Sequence, residues 1–259
     1  MKLSTWSKAL SRSDFLAILL EEESESSILE IGPLNRPLVN TPETKYFDLY
    51  PTQELKKKAK SEGLDPEAVP DISFSDPNGN LGVIDEEFNN IVSAHCIEHQ
   101  PDLITHLVLC SKLLKGPNAK YWLVIPDKRY CFDALIPESS ILDVVKAHEE
   151  KLTRPSIWKV IEHRALTTHN DPVLHWQNNH GVQNLDILAR FNAAKAEFEN
   201  AHGSYIDVHC WQFTPKSFEI IIDALYELGL IDFKVERIWE TPENNLEFCA
   251  VLKINDRNL

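Results

Sequence analysis

Residue types that bind metals or move protons cluster in SAHCIEHQPD, Ser93 to Asp102. There His95, Glu98 and His99 spell H-x-x-E-H, and His106 follows. On one helix this order puts two histidines on a shared face and supports inverzincin-type zinc chemistry. The flanking residues argue against a helix. NNIVSA arrives as a strand, and Pro101 fits a helix start while turning Gln100 away from helical geometry. The motif is therefore expected at a strand-to-helix turn, with the helix beginning where the motif ends. From such a loop Glu98 and His99, with or without His95, could still hold a divalent ion. The alternative is that they cap the helix and pin the loop. His106 reads as a helix-surface histidine, and no metal is assigned from the sequence.

Positioning such a turn requires strands and helices in alternation. Ser13 and Asp14 are candidate caps for a helix through DFLAILL, and SSILEIG is a short buried strand ending at Gly32. TKYFDLY reads as a second strand and TQELKKKAKSEG as a charged helix stopped by Gly63. PDISFSD is a third strand before the PNGNLG break, FNNIVSAH a fourth, PDLITHLVLCSKLLKG a helix, and AKYWLVIP a fifth strand. This order predicts a doubly wound, mostly parallel α/β sheet with its ligands at the carboxyl ends of the strands.

Beyond Pro126 the pattern is helical, and residues 127–204 read as a helical insertion within one domain spanning 1–259. α/β character resumes at YIDVHCW. TPKSFEIIIDALYELGL has Thr214 as N-cap and Pro215 at the first helical position. DFKVERIWE and EFCAVLKI are close enough to form an antiparallel pair.

The strand ends carry the cofactor candidates. Glu30 and Gly32 lie at the first strand-to-helix turn, where glycine lets a ligand approach the backbone closely. Asn35 and Arg36 share that loop. Asp48 ends the second strand, near the spacing at which an acid meets ribose hydroxyls; Asp76 follows the third strand, and Ser93 to His95 close the fourth. Together they predict a pocket for a nucleoside cofactor. Each has a structural alternative: Glu30 a loop anchor, Asp48 a turn residue, Asp76 part of the DPNG turn.

The series ILEIGPLNRPL, YFDLY, FNNIVSAHCIEHQPDL and LLKGPNAKYWLVIPDKRYCFD resembles class I S-adenosylmethionine-dependent methyltransferases of the type 11-like branch. It is similar to bacterial methyltransferase-domain proteins sharing HxxEHxPDL, PDKRYxFD and DVHCWxFTPxSF. The resemblance covers nearly the whole chain and implies a seven-stranded, mostly parallel sheet of Rossmann-like methyltransferase type. It further implies that S-adenosylmethionine is the cofactor, with Glu30 and Gly32 beside its methionine portion, Asp48 on the ribose, Asp76 near the adenine, and Ser93 and His95 bordering it. Glu98 and His99 would face the substrate, and His95, Glu98 and His99 are the candidate catalytic bases. Asp127, Lys128, Arg129 and Tyr130 are the candidate substrate residues; a solvated turn is the alternative for Lys128 and Arg129. The insertion would be a lid, with His163, His169, His175, His180, Trp158 and Trp176 lining the acceptor pocket or packing its helices. The loop departs from the family in keeping only Gly32, with Leu34, Asn35 and Arg36 where small residues are usual. A non-catalytic binding or scaffold protein is therefore the competing function.

Composition narrows the partners. Acidic residues outnumber basic ones 40 to 26 in 259 residues, a net charge of −14 that repels nucleic acid. A small-molecule acceptor is expected instead. Five scattered cysteines form no C-x-x-C pair, as in a reduced, cytoplasmic chain. Asp14 precedes the short amino-terminal apolar run and Glu21 to Glu23 follow it, with no cleavage pattern after, so neither a signal peptide nor a membrane span is expected.

Overall fold

The computed structural model describes residues 6–23, 26–182 and 186–255. Residues 1–5 of the amino-terminal stretch and 183–185 of the expected insertion lie outside the described residues.

The strands Ile28–Ile31 (β2), Asn90–Ala94 (β5) and Lys120–Pro126 (β6) are buried nearly throughout, as parallel strands covered on both faces must be. Their side chains alternate between two layers. Leu29, Ile31, Ile91, Tyr121, Leu123 and Ile125 pack on one face under the helices Leu103–Lys112 (α3) and Pro215–Glu227 (α8). Ile28, Val92, Trp122 and Val124 pack on the other with Phe15 and Leu19 of the helix Arg12–Glu22 (α1). The remaining strands are Thr44–Asp48 (β3), Phe74–Ser75 (β4), Phe233–Trp239 (β7) and Glu247–Ile254 (β8). Trp6–Ser7 (β1) adds a two-residue strand on the edge of β7, which makes eight strands rather than the expected seven.

The sheet order is β1-β7-β8-β6-β5-β2-β3-β4, with β8 antiparallel to both neighbours and every other pairing parallel. This is the expected doubly wound, mostly parallel architecture. The chain leaves β2 toward β3 and β4, then returns to place β5 on the opposite side of β2. That reversal makes the carboxyl ends of β2 and β5 the switch point at which doubly wound sheets bind ligands. Thr52–Ser61 (α2) covers the β3 side.

Four helices stand between β6 and α8: Ile141–Glu149 (α4), Ile157–Leu166 (α5), Pro172–Trp176 (α6) and Ile187–Asn200 (α7). Val160, Ile161, Ala194, Ile206 and Val208 form a small core where α5 meets α7. Among the described residues, no helix is long and apolar enough to cross a membrane.

Several sequence expectations change. Ser11, not Ser13 or Asp14, is the N-cap of α1, accepting from the Asp14 amide. The third strand shrinks to two residues, because the Asp76 carboxylate takes the Asn78 and Asn80 amides and bends the chain into a turn. YIDVHCW is not a strand; it runs extended toward a single bridge between Phe213 and Asp127. His106 is buried, not on the helix surface. It lies 3.0 Å from the Tyr121 hydroxyl, and burial pushes its pKa down to about 4.

Candidate functional site

The loop after β2 is built around two backbone positions in the left-handed region. Gly32 has φ +74°, where glycine carries no side-chain penalty, and its amide donates to the Phe47 carbonyl at 2.9 Å. A Cβ there would meet Cys96 at 3.7 Å, so conformation and not space requires the glycine, and the loops after β2 and β5 touch. Leu34 has φ +44°, an unfavourable region for a leucine, and its side chain packs on Leu55, Ala59 and Val69 beside α2.

Two carboxylates hold this loop. Glu30 is buried and accepts the Leu38 and Val39 amides at 2.7 and 3.0 Å. Burial outweighs these bonds and pushes its pKa up to about 7. Asp48, half-buried at the end of β3, accepts the Leu34 amide at 3.2 Å and the Leu49 amide at 2.7 Å. Burial raises its pKa as well, against the same two amides. Asn35 is buried near the Asp65 carbonyl, whereas Arg36 is exposed. Asp76 sits in its turn at the end of β4. Ser93 points into the core, where its hydroxyl lies 2.9 Å from that of buried Tyr121. The switch point thus brings together Gly32, Leu34, Asp48 and Cys96, while Ser93 points into the core.

After β5 the chain turns sharply at His95, φ +49°, and makes a 3-10 turn, Ile97–His99, before α3 starts with Asp102 as N-cap. H-x-x-E-H therefore lies ahead of the helix. Its three polar side chains take different directions. His95 Nε2 lies 2.8 Å from Glu247, which also pairs with Arg12. Burial works against charge on Glu247, but the bonds from His95 and Arg12 win and hold its pKa at about 2. Glu98 is fully buried with no hydrogen-bond partner on either oxygen. His99 Nδ1 approaches Asp207 at 2.9 Å, in an alignment poor for a hydrogen bond. Burial disfavours charge on His99, yet Asp207 and Glu98 outweigh it and raise its pKa.

The extended segment after α7 crosses directly over this turn. The amides of Cys210 and Trp211 donate to the Glu98 carbonyl at 2.7 and 3.1 Å, and the Trp211 indole donates to the Gln100 carbonyl at 2.6 Å. This brings His209 Nε2 to 3.8 Å from Glu98 Oε1, while its Nδ1 lies 2.7 Å from the buried carboxylate of Asp133. His163 and Phe132 flank the His209 ring at centroid distances of 5.8 and 4.7 Å. His209, Asp133, Asp207 and Glu247 were missed by sequence reasoning. No local signal marks His209, which meets Glu98 only through a segment over 100 residues later in the chain.

The PDKRY residues lead from β6 toward the helices α4 to α7. Asp127 is fully buried and accepts from the Arg129 amide and guanidinium and from the Thr241 hydroxyl, the last at 2.6 Å. Lys128 donates to the Ala134 carbonyl, and Arg129 also approaches Glu240. Tyr130 stacks on Trp176 at 4.1 Å, and the Trp176 indole donates to the Asn245 carbonyl. His175 links His169 and His180 in a second histidine group, and Trp158 is exposed.

No protein-family model matches the chain, and no curated protein matches it. Solved structures with similarity include the trans-methyltransferase CalH in complex with SAH, at 10% identity and TM-score 0.44, covering 93% of this chain and 55% of that one. The mitomycin 7-O-methyltransferase MmcR also has 10% identity and TM-score 0.44, covering 95% and 54%. The CcbJ methyltransferase from Streptomyces caelestis has 8% identity and TM-score 0.45, covering 96% and 100%. The chain thus spans about half the length of the first two. At these distances no residue role is carried across.

Proposed function

We propose that the chain is an S-adenosylmethionine-dependent methyltransferase acting on a small-molecule acceptor. The observation that carries this reading is the pairing of Gly32 and Asp48 at the switch point between β2 and β5, where doubly wound sheets bind nucleotides. The residues present fit the cofactor. Asp48 uses one acceptor site on each oxygen for a backbone amide, and a carboxylate offers about four, leaving sites for a ribose diol. Gly32 is exposed and leaves the loop backbone approachable.

The cofactor would supply an electrophilic methyl group on a sulfonium. The protein's part is alignment and exclusion of water. Glu30 fixes the path of residues 32–39 and Asp48 fixes Leu34, so the cofactor side is organised by two anchors. The insertion, rooted through Asp127 and the Tyr130–Trp176 stack, acts as the lid on the acceptor side. His95 and His99, partly exposed, are the proton acceptors within this region; Glu98 is too deeply buried to meet a substrate directly.

Calorimetric titration with S-adenosylhomocysteine tests the reading. Binding that weakens at least tenfold in Asp48→Ala supports it, and no binding at millimolar ligand overturns it. A second reading, a binding or scaffold protein, is favoured by the left-handed Leu34 and by the amides already held by Glu30 and Asp48. Transfer of a labelled methyl group to any acceptor in a cell extract removes that alternative.

A further inference from the structure

We infer that Glu98, His99 and His209 form a binding site for one divalent transition-metal ion of the zinc class. Their donor atoms, a Glu98 carboxylate oxygen and one ring nitrogen of each histidine, lie within 4.8 Å of one another. Glu98 Oε1 is 3.7 Å from His99 Nε2 and 3.8 Å from His209 Nε2. These separations are too long for hydrogen bonds and close to those of ligands sharing an ion. Donors about 2.1 Å from a tetrahedral centre stand about 3.4 Å apart, so the two Glu98–histidine separations need to close by only a few tenths of an ångström, while the His99–His209 separation lies within 4.8 Å.

Glu98 supplies the independent indication. It is 0% exposed, and neither carboxylate oxygen has a hydrogen-bond partner. A buried carboxylate in that state is costly unless a cation or a proton meets it. Its Oε1 faces three imidazole nitrogens, since His95 Nδ1 is also 3.8 Å away. The two histidines turn their Nε2 atoms toward Glu98 and their Nδ1 atoms toward carboxylates, Asp133 for His209 and Asp207 for His99. For His209 the Asp133 carboxylate behind the imidazole fixes the ring and raises its basicity, the usual arrangement around metal-ligating histidine; Asp207 stands on the corresponding side of His99 without a well-aligned hydrogen bond. The rings meet edge to face at 89°, with centroids 4.7 Å apart.

The donor set selects the ion. Two imidazoles and one carboxylate suit zinc, iron(II), cobalt(II) or manganese(II), and three protein ligands leave coordination positions open. Magnesium and calcium favour oxygen ligands and are disfavoured. The scaffold is rigid where it matters: Glu98 and His99 share one turn, and the Cys210 and Trp211 amides fasten the His209 segment to the Glu98 carbonyl. The site does not rest on methyl transfer, because its evidence is the ligand geometry alone; an ion on His99 would leave His95 as the proton acceptor of the proposed reaction.

The test uses the full chain without a histidine tag, stripped with chelator and dialysed, then titrated with cobalt(II) and with zinc(II). One equivalent should bind, the cobalt form should show a ligand-field absorption band of low-symmetry coordination, and zinc should displace it. Glu98→Gln and His209→Gln should abolish stoichiometric binding, and Asp133→Asn should weaken it by about 10- to 100-fold. His180→Gln, in the separate histidine group, should bind as the parent does. No band and no stoichiometric binding to the unaltered protein overturns the inference without any variant being needed. Equal binding by folded Glu98→Gln, checked by circular dichroism, also overturns it, as does loss of binding in His180→Gln with Glu98→Gln unaffected.

Discussion

Replacing Glu30 with glutamine should change how stability depends on pH. The folded-state pKa is raised, from 4.5 to about 7, with burial as the cause. Between those values the folded protein holds a proton that the unfolded chain releases. Stability from this group is therefore present at low pH and is lost as pH rises toward and through about 7. Integrating the two titrations gives a loss of about 2.5 kcal/mol between pH 5 and pH 8. Glutamine cannot titrate; its carbonyl oxygen accepts from one of the Leu38 and Val39 amides, while its NH2 group can only donate and faces the other, a cost that does not change with pH. Urea unfolding of both proteins at pH 5, 6, 7 and 8 removes contributions from every other group by subtraction. The gap between them should move by about 2.5 kcal/mol in favour of Glu30→Gln as the pH rises. A constant gap would show that the two amide bonds stabilise the carboxylate enough to cancel its burial, and would refute the argument.

Asp127→Asn should destabilise the protein by about 3 kcal/mol in chemical denaturation, because it removes the charge that Arg129 and Thr241 both face at a fully buried position. A loss below about 1 kcal/mol would mean that the half-exposed Arg129 is satisfied by water. Trp176→Ala removes the Tyr130 stack and the bond to the Asn245 carbonyl, worth about 2 kcal/mol together. Hydrogen exchange should quicken across residues 169–181 well before the melting temperature moves. Unchanged local protection would count against the insertion being fastened there.

The architecture was legible where burial was continuous. β2, β5 and β6 are apolar runs that only a covered parallel sheet can hold, and Thr214 followed by Pro215 marks the start of α8 through local chemistry. β1 was not legible, because a two-residue edge strand has no periodicity. His106 was misplaced because α3 is apolar on more than one face, so a polar residue in it looked exposed although Tyr121 waits inside the core. The placement of Gly32 and Asp48 at the ends of β2 and β3 could be read from the strand patterns. His209 could not: it meets Glu98 only because an extended segment over 100 residues later crosses the 97–100 turn, a closeness that no local spacing encodes. PDKRY shows the opposite limit. Its charges point to substrate binding, and the sequence does not show that Asp127 pairs with Arg129, because that pairing depends on burial.

The position of β8 has a consequence for biogenesis. Residues 247–254 come after every other strand, yet they lie between β6 and β7. A growing chain can assemble β2 to β6 early, but it must present β6 as a bare hydrogen-bonding edge until this late segment emerges. β7 has little sheet to join before then, since its other neighbour is only two residues long. Stalled or shortened chains would therefore display a long apolar edge, YWLVI, of the kind that recruits chaperones or pairs with another copy.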